Sequence, residues 1–262
     1  MSISNTFLFS TDCSIIIDSV SISSTNLESS LGFFNLIEGS LFSNKLNISE
    51  SFGSLVSLNK VDSCFIENTI IAYIQAEFGF LIVNSNVSLF NISVVFSSFN
   101  VLFEPTNSHL FVDSLCSAGM NSTSVFDGST SVLRLNDVSL SNLITNHVFD
   151  LSDSTLELHL AKVFDSILTT GFLLTTSTNS TIDFLDFHQI NEGLIDSSES
   201  YSINTKLAAI SSNLFIIVDS HLDLSSIILT QTNVNLILTC LHCNASMDSL
   251  LIENSSFTSL FI

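Results

Sequence analysis

The stretch "CSIIIDSVSIS" at residues 13–23 is followed 26 residues later by a similar stretch, "GSLFSNKLNIS", at residues 39–49. Each contains an apolar run, a polar pair, and then apolar and polar residues in alternation up to a final Ile-Ser. A chain that repeats a short pattern at a regular distance builds its fold by stacking copies of one unit. The two stretches therefore predict a repeat architecture, provided that the pattern continues.

The pattern does continue through most of the chain. Apolar anchors that follow one or two polar residues recur at intervals of 21 to 26 residues, at Val20, Leu46, Ile70, Val94, Leu115, Val138, Val163 and Phe187. A second series of apolar clusters recurs at intervals of 21 to 25 residues, beginning at Phe33, Leu55, Phe80, Val101, Val125, Val148 and Phe172. Two series with a common period near 24 residues indicate a solenoid.

The two segments between these series differ in how much their length varies. The distance from a second-series cluster to the next anchor is nearly constant, whereas the distance from an anchor to the next cluster changes from unit to unit. A solenoid tolerates length changes where the chain bulges outward. The more variable segment is therefore expected to form a variable-loop edge, on which Ser97 and Ser98 would be exposed, while Val94 would point into the core.

Within each unit the apolar residues follow a strand period, as in Phe42, Leu46 and Ile48 or in Val138 and Leu140, and β-branched residues and Phe are abundant. We predict an all-β fold, a right-handed parallel β-helix (β-solenoid) of about ten coils with a period near 24 residues. Residues 1–262 would form a single domain with an irregular or inserted loop at about 188–210. The leucine-rich repeat, with a similar period, is the alternative, but its motif does not recur in register.

Polar residues near the anchors are expected to shape the coils. An Asn or Asp two residues before an anchor tolerates the positive φ that a sharp bend requires. In successive coils these side chains would stack and form hydrogen-bonded ladders.

Charge and hydropathy exclude several partners. Five Lys and Arg against 25 Asp and Glu give a net charge of −20, which excludes nucleic acid as a partner because nucleic acid is bound through basic clusters. The longest apolar runs are much shorter than the roughly 20 residues of a spanning helix, so we predict no transmembrane segment. The amino terminus has no basic region before an apolar core, so no signal peptide is predicted in the chain as given.

Both ends carry repeat-like sequence, which predicts that the chain is part of a longer protein or associates end to end.

The residues that could carry chemistry are scattered. The nearest carboxylate pair, Asp183 and Asp186, is three residues apart, and two strand residues at that spacing face opposite sides unless a turn intervenes. Arg134 is the only arginine, and the lysines lie in different coils, at Lys45, Lys60, Lys162 and Lys206. We therefore predict no catalytic residue and no cofactor, and treat the acids as solvated surface groups.

The sharpest local motif is "CLHC" at residues 240–243. A C-x-x-C pair is typical of a redox site or of half a zinc site, and His242 adds one further candidate ligand. A zinc site needs a second ligand pair, and the sequence contains no other C-x-x-C. We therefore predict no metal site, and interpret the five cysteines as buried free thiols of the coils.

The coils resemble the pectin-lyase-like right-handed β-helix superfamily over nearly the whole chain. Within it, "FIEN" at 65–68, with "FGSLV" at 52–56 and "FGFLI" at 78–82, resembles the F-x-x-N and G-G-A-I repeats of polymorphic outer membrane proteins, which are surface adhesins. The N-T-D, D-D, G-H-G and R-I-K motifs of the superfamily's hydrolases do not occur.

This resemblance implies a non-catalytic β-helix segment of an adhesin-like protein at the cell surface or secreted, with a glycan or protein ligand on the variable-loop edge. The alternative is a carbohydrate-active enzyme, a polysaccharide lyase or hydrolase, with its site on that edge.

Overall fold

A computed structural model describes residues 2–3, 8–24, 26–27, 33–188 and 213–261, and every regular element in these ranges is a β-strand. No helix in the described ranges is long and apolar enough to cross a membrane. The strands are β1 (Ser2–Ile3), β2 (Leu8–Ser23), β3 (Asn26–Leu27), β4 (Phe34–Ser49), β5 (Val56–Ala72), β6 (Gln75–Val83), β7 (Asn86–Val95), β8 (Ser98–Thr106), β9 (His109–Ala118), β10 (Asn121–Ser129), β11 (Val132–Ser141), β12 (Ile144–Ser152), β13 (Thr155–Phe164), β14 (Ile167–Thr176), β15 (Asn179–His188), β16 (Asn213–Val218), β17 (His221–Thr230), β18 (Asn233–Leu241), β19 (Asn244–Glu253) and β20 (Ser256–Phe261).

Every strand pairs in parallel with the equivalent strand of the next turn. From β6 onward each turn contributes one strand to a first face, in the order β6, β8, β10, β12, β14, β16, β18 and β20, and one to a second face, from β7 through the odd-numbered strands to β19. In the first turns β2, β4 and β5 each run continuously through both faces. The chain is therefore a right-handed parallel β-helix, as predicted.

The two similar stretches at residues 13–23 and 39–49, from which the repeat was inferred, also repeat in the structure. Cys13 pairs with Gly39, Ile15 with Leu41 and Ile22 with Ile48, so the two quoted stretches lie side by side in consecutive turns.

The period is near 23 residues rather than 24. Gln75 pairs with Ser98, and the same offset holds for the following turns up to β13, apart from one irregularity between β12 and β14. Between β15 and β17 the offset is much larger, since Asn179 pairs with His221, so extra chain lies between these strands. The irregular or inserted loop expected at about 188–210 falls almost wholly on residues 189–212, outside the described residues, and the single-domain assignment stays a prediction.

The variable-loop edge is not found in the described turns, because the anchors of the sequence pattern belong to different rows. Val94 pairs with Ser117, whereas Leu115 pairs with Ile92, so the two anchors lie in neighbouring inward rows. Ile70 is 49 % exposed and points outward. The segments between anchors and clusters appeared to vary in length because anchors from different rows were compared. Residues of one row recur at a regular spacing near 23 residues.

Of the two side-chain directions predicted from the sequence for Val94 and Ser97, one is confirmed and the other is wrong. Val94 is fully buried, as predicted. Ser97 is also buried, contrary to the prediction, because its hydroxyl donates to the Val95 carbonyl (2.9 Å) and accepts the Ile74 N–H (3.1 Å) of the preceding turn.

A ladder of buried hydroxyls holds the bend after six of the first-face strands, β6, β8, β10, β12, β14 and β16. At each of these six bends one residue adopts a left-handed φ of 49° to 53° and the next residue is a buried Ser or Thr. Its hydroxyl donates to the carbonyl two residues earlier (2.6–3.0 Å) and accepts the N–H of the equivalent position one turn back (2.9–3.4 Å). Backbone groups that the bend removes from the sheet are thereby satisfied. We call this set the serine ladder; its members are Ser85, Ser108, Ser131, Ser154, Thr178 and Ser220.

The polar stretch "TTSTNST" at 175–181 contains one of these bends, at Ser177 and Thr178.

A second ladder confirms the predicted stacking of Asn and Asp side chains on the second face. Asn44 donates to Asp18 (3.1 Å), Asn68 donates to Asn44 (3.0 Å) and Asn91 donates to Asn68 (3.2 Å), each from the side-chain amide. These residues lie in the bend within the second-face strands, where consecutive side chains point outward.

Asn68 has the expected positive φ. In the two preceding turns the positive φ is found instead at Ser19 and Lys45, each one residue after the Asp or Asn for which it was expected. In the described second-face strands from β9 onward no residue at this bend has a positive φ, so the bend can form with or without a left-handed residue.

A column of phenylalanine rings fills the core behind the first face. Phe80, Phe103, Phe126, Phe149 and Phe172 are at most 1 % exposed, and successive ring centroids lie 5.1, 4.9, 4.9 and 5.3 Å apart; the first four rings stack, and Phe172 meets Phe149 edge to face. The apolar clusters of the second sequence series are the source of these rings. Offset stacking of aromatic rings adds to the free energy gained by burying them. We call this column the buried phenylalanine stack.

Replacing the middle ring of the stack should be strongly destabilising. Phe126→Ala is expected to lower the free energy of unfolding by about 3–5 kcal/mol, because it opens a cavity and removes a ring contact on both sides. Urea unfolding followed by circular dichroism measures this change. Phe111→Ala, which removes an outward-facing ring, is the matched control, and an equal loss in both variants would contradict the inward assignment.

Removing one hydroxyl of the serine ladder should also lower the free energy of unfolding. Ser131→Ala leaves the buried Ser108 N–H without its acceptor, and we expect a loss of about 1–3 kcal/mol in urea unfolding. Ser139→Ala, on an outward row of the second face, is the matched control, and its effect on stability should be close to zero, as is usual for surface substitutions. A loss at Ser131 as small as that at Ser139 would show that the rung hydroxyl is not needed.

Candidate functional site

Four phenylalanine side chains form a ladder on the outside of the second face. Phe42 and Phe65 stack with ring centroids 5.3 Å apart, Phe65 and Phe90 follow at 4.7 Å, and Phe90 and Phe111 meet edge to face at 5.5 Å. Ile16 extends this row by one turn and is 79 % exposed. We call these five residues the aromatic strip. A run of contacting apolar side chains on a surface marks an interaction site more often than scattered ones do.

Strand geometry explains why these rings face outward. Leu41 and Ser43 are buried, so Phe42 between them must point to solvent. The Phe42 side chain is accordingly exposed. The sequence analysis placed Phe42 in the inward alternation with Leu46 and Ile48, and this assignment is wrong. The bend at the left-handed Lys45 reverses the alternation between Phe42 and Leu46.

Two shallow depressions accompany the strip. One, of about 430 Å³, is lined by the Phe42 and Phe65 rings together with serine hydroxyls, and the other, of about 440 Å³, by Phe111, His109 and Arg134. Asn86 and Ser88 line both, so the two depressions adjoin, and we refer to them together as the groove.

The rim of this groove is built from short polar side chains. One outward row carries Ser14, Ser40, Ser63, Asn86 and His109 at successive turns, directly beside the aromatic rows. Ser40 donates to Ser14 (2.9 Å), and the Asn86 amide donates to the Asp62 carbonyl (3.2 Å). The groove therefore combines flat apolar rings with hydroxyl and amide groups along the helix axis.

The groove carries almost no net charge. Arg134 is the only permanently charged side chain in its lining, and its guanidinium Nε lies 2.8 Å from a carboxylate oxygen of Glu157 in the next turn. This exposed ion pair offsets the positive charge at the end of the groove.

The acid pair singled out from the sequence does not form a site with the groove. Asp183 and Asp186 both point outward, because the strand bends between them, and neither lines either depression. Asp183 instead lies 2.6 Å from the His159 ring nitrogen Nδ1, with both side chains at least half exposed. Asp186 lies opposite Lys162 in the strand register.

The cysteines differ from the prediction of buried free thiols. Cys240 and Cys243 form a disulfide, and Cys13 and Cys116 are exposed. Only Cys64 fits the prediction: it is buried and free, and burial raises the pKa of its thiol far above the usual range.

No metal centre is found in the described ranges, where no three His, Cys, Asp or Glu side chains are placed to hold an ion.

One row of acids on the first face is electrostatically unfavourable. Glu104, Asp127 and Asp150 occupy the same outward position in three successive turns. Burial, and then the neighbouring carboxylates, raise the pKa of Glu104 and of Asp127. Beside this row, burial lowers the pKa of His147, whose two ring nitrogens are buried without hydrogen-bond partners.

No known protein family, curated protein or solved structure matches this chain.

The sequence analysis missed the aromatic strip, although one signal was present. Phe42 and Phe65 are separated by the 23-residue period, and Ser88 and Phe111 continue the same row. Phe90 lies two residues after Ser88, so the ladder of rings changes row at this turn. A search of the sequence for Phe at one fixed spacing therefore does not find the whole strip.

The acid row gives stability a defined pH dependence. The pKa of Asp127 is raised in the folded state, so the folded chain holds the proton more tightly, and this contribution to stability is present at low pH and is lost as pH rises through the folded pKa. Asp127→Asn should therefore be more stable than the wild type at pH 7, and the difference should vanish towards pH 3. Urea unfolding from pH 3 to 7 measures this, with the exposed Asp153→Asn as control; an Asp127→Asn curve parallel to the wild type would contradict the prediction.

Proposed function

We propose that this chain is a non-catalytic β-helix segment that binds an uncharged glycan along the aromatic strip. The observation that carries the proposal is the groove in which the stacked Phe42 and Phe65 rings, and then Phe111, lie beside a row of Ser and Asn side chains. A shallow, open groove suits an extended ligand that lies along the axis and contacts several turns.

The chemistry of the lining favours a sugar over other ligands. Aromatic faces contact the apolar C–H faces of pyranose rings, while hydroxyl and amide groups exchange hydrogen bonds with sugar hydroxyls. The net charge of −20 and the pairing of Arg134 with Glu157 disfavour acidic polysaccharides, which would be repelled.

The adhesin-like role rests on the resemblance of the coils to pectin-lyase-like β-helices and to the repeats of polymorphic outer membrane proteins. That resemblance supports a place in a cell-surface or secreted protein. A solenoid that presents similar side chains at successive turns suits adhesion, because weak contacts repeated along its axis add up to avidity. Association of the solenoid end to end is part of the same proposal, since strands at the first and last turns can pair with further chain.

A carbohydrate-active enzyme is the second candidate, favoured by one observation. His159 and Asp183 form a close exposed pair, and a carboxylate that orients a histidine is a common element of acid–base catalysis. Neither side chain lines the two depressions of the groove, so we place this function second.

Removing two rings of the strip should abolish glycan binding. The double variant Phe65→Ala/Phe90→Ala is expected to weaken binding to a neutral polysaccharide at least about tenfold, because the central stacking platform is lost. Isothermal titration against a panel of neutral and acidic glycans measures the affinities. Phe257→Ala, which removes an exposed ring of β20, is the matched control and should bind like the wild type.

The outcomes separate the candidates. Binding that persists unchanged in the double variant, or no binding to any glycan by the folded protein, would overturn the proposal. Glycan turnover that disappears in Asp183→Asn but persists in the double variant would establish the enzyme instead.

A further inference from the structure

The disulfide occupies a rung of the serine ladder. Cys243 stands one turn after Ser220, since the residues that follow them, Asn244 and His221, pair in the strand register. Like every other rung it follows a residue with a left-handed φ, here His242 at 53°. The backbone hydrogen bonds of this bend match those of the other bends, since Asn244 N–H donates to the Ser220 carbonyl and Asp219 N–H donates to the Leu241 carbonyl. Cys243 therefore stands where other turns carry a buried hydroxyl.

The bonded sulfur cannot do what that hydroxyl does. The hydroxyl of a rung donates to the carbonyl two residues earlier and accepts the N–H of the rung below, as Ser220 does with Val218 and Thr178. The Sγ of Cys243 is instead bonded to Cys240, carries no proton, and is a weak acceptor. Among the described residues it takes part in no hydrogen bond of the ladder type. Reduction would restore a proton, and with it a weak donor, at the rung.

We infer that Cys240–Cys243 is a reversible thiol–disulfide site that sets the local stability of β18, β19 and β20. The co-reactant is a small-molecule thiol. In the oxidised chain the cross-link fixes the bend, and in the reduced chain the bend depends on the weaker thiol rung. A bond that closes a short loop stabilises by restricting the opened chain, so its loss should loosen these strands.

The exchange is balanced with two thiols. One thiolate attacks a sulfur of the pair, forming a mixed disulfide and releasing the other cysteine as a thiolate that takes up a proton. The second thiol attacks the mixed disulfide at the reagent's sulfur, which frees the remaining cysteine. The protein disulfide is reduced to two thiols, and two reagent thiols are oxidised to one disulfide.

The surroundings allow this exchange and confine it to one pair. Cys240 and Cys243 are partly exposed, and the adjoining Leu241 and His242 are mostly exposed, so a small thiol can approach. The register places Cys13, Cys64 and Cys116 in other turns, where none pairs with a cysteine. Internal reshuffling is therefore not a competing reaction.

Alkylation of the folded chain tests the site directly. N-ethylmaleimide should modify two thiols in the untreated protein, Cys13 and Cys116, and four after treatment with dithiothreitol and its removal, while Cys64 should react only after denaturation. Re-oxidation with a dithiol–disulfide buffer should return the number to two. Four reactive thiols before reduction, or two after it, would overturn the inference.

Hydrogen exchange tests the effect on the turns. Reduction should speed the exchange of amides in β18 to β20 and leave β10 to β13 unchanged. Cys243→Ser supplies the hydroxyl of a normal rung, and should slow exchange of the Ser220 amide about tenfold relative to Cys243→Ala, the value of one hydrogen bond. Equal exchange of the Ser220 amide in the two variants would show that position 243 is not a rung, and unchanged exchange in β18 to β20 on reduction would refute the control of stability.

Discussion

Parallel hydrogen bonding between successive turns is the constraint on which this structure depends. It places residues one 23-residue period apart next to one another, at the spacing between neighbouring strands. Each position of the repeat thereby becomes a row along the solenoid, and every side chain has a neighbour of the same position above and below. Stability then depends on whether the residues of a row tolerate being stacked.

The rows show what stacking favours and what it penalises. Buried Phe rings stack on Phe, and hydroxyls and amides form unbroken chains of donors and acceptors, because each such group offers both roles or a flat face to its neighbour. Carboxylates offer only acceptors and cannot form such a chain; burial, and then the charge of the neighbouring carboxylates, raises the pKa of Glu104 and of Asp127. The disulfide at Cys243, one turn after Ser220, does not continue the serine ladder for a related reason, since a bonded sulfur has no proton to donate.

The same constraint creates the candidate binding surface. Where outward positions hold Phe in several turns, the register alone brings the rings into contact and produces a strip. The adjoining outward position supplies a parallel row of hydroxyl and amide groups. Specificity along such a surface depends on which turns carry which residue. This explains why the strip ends where Arg134 and Glu157 replace the aromatic residues of the row.

The sequence by itself determined the fold class, the repeat and the stacking of polar residues such as Asn44 and Asn68, because all three depend on spacing along the chain, which the sequence displays directly. It also placed Val94 in the core. Only the tertiary structure decided the side-chain directions at the bends, where one left-handed residue reverses the alternation and turns Phe42 outward and Ser97 inward. The aromatic strip and the place of Cys243 in the serine ladder both depend on that reversal and on the precise register between turns, and neither can be deduced from apolar periodicity alone.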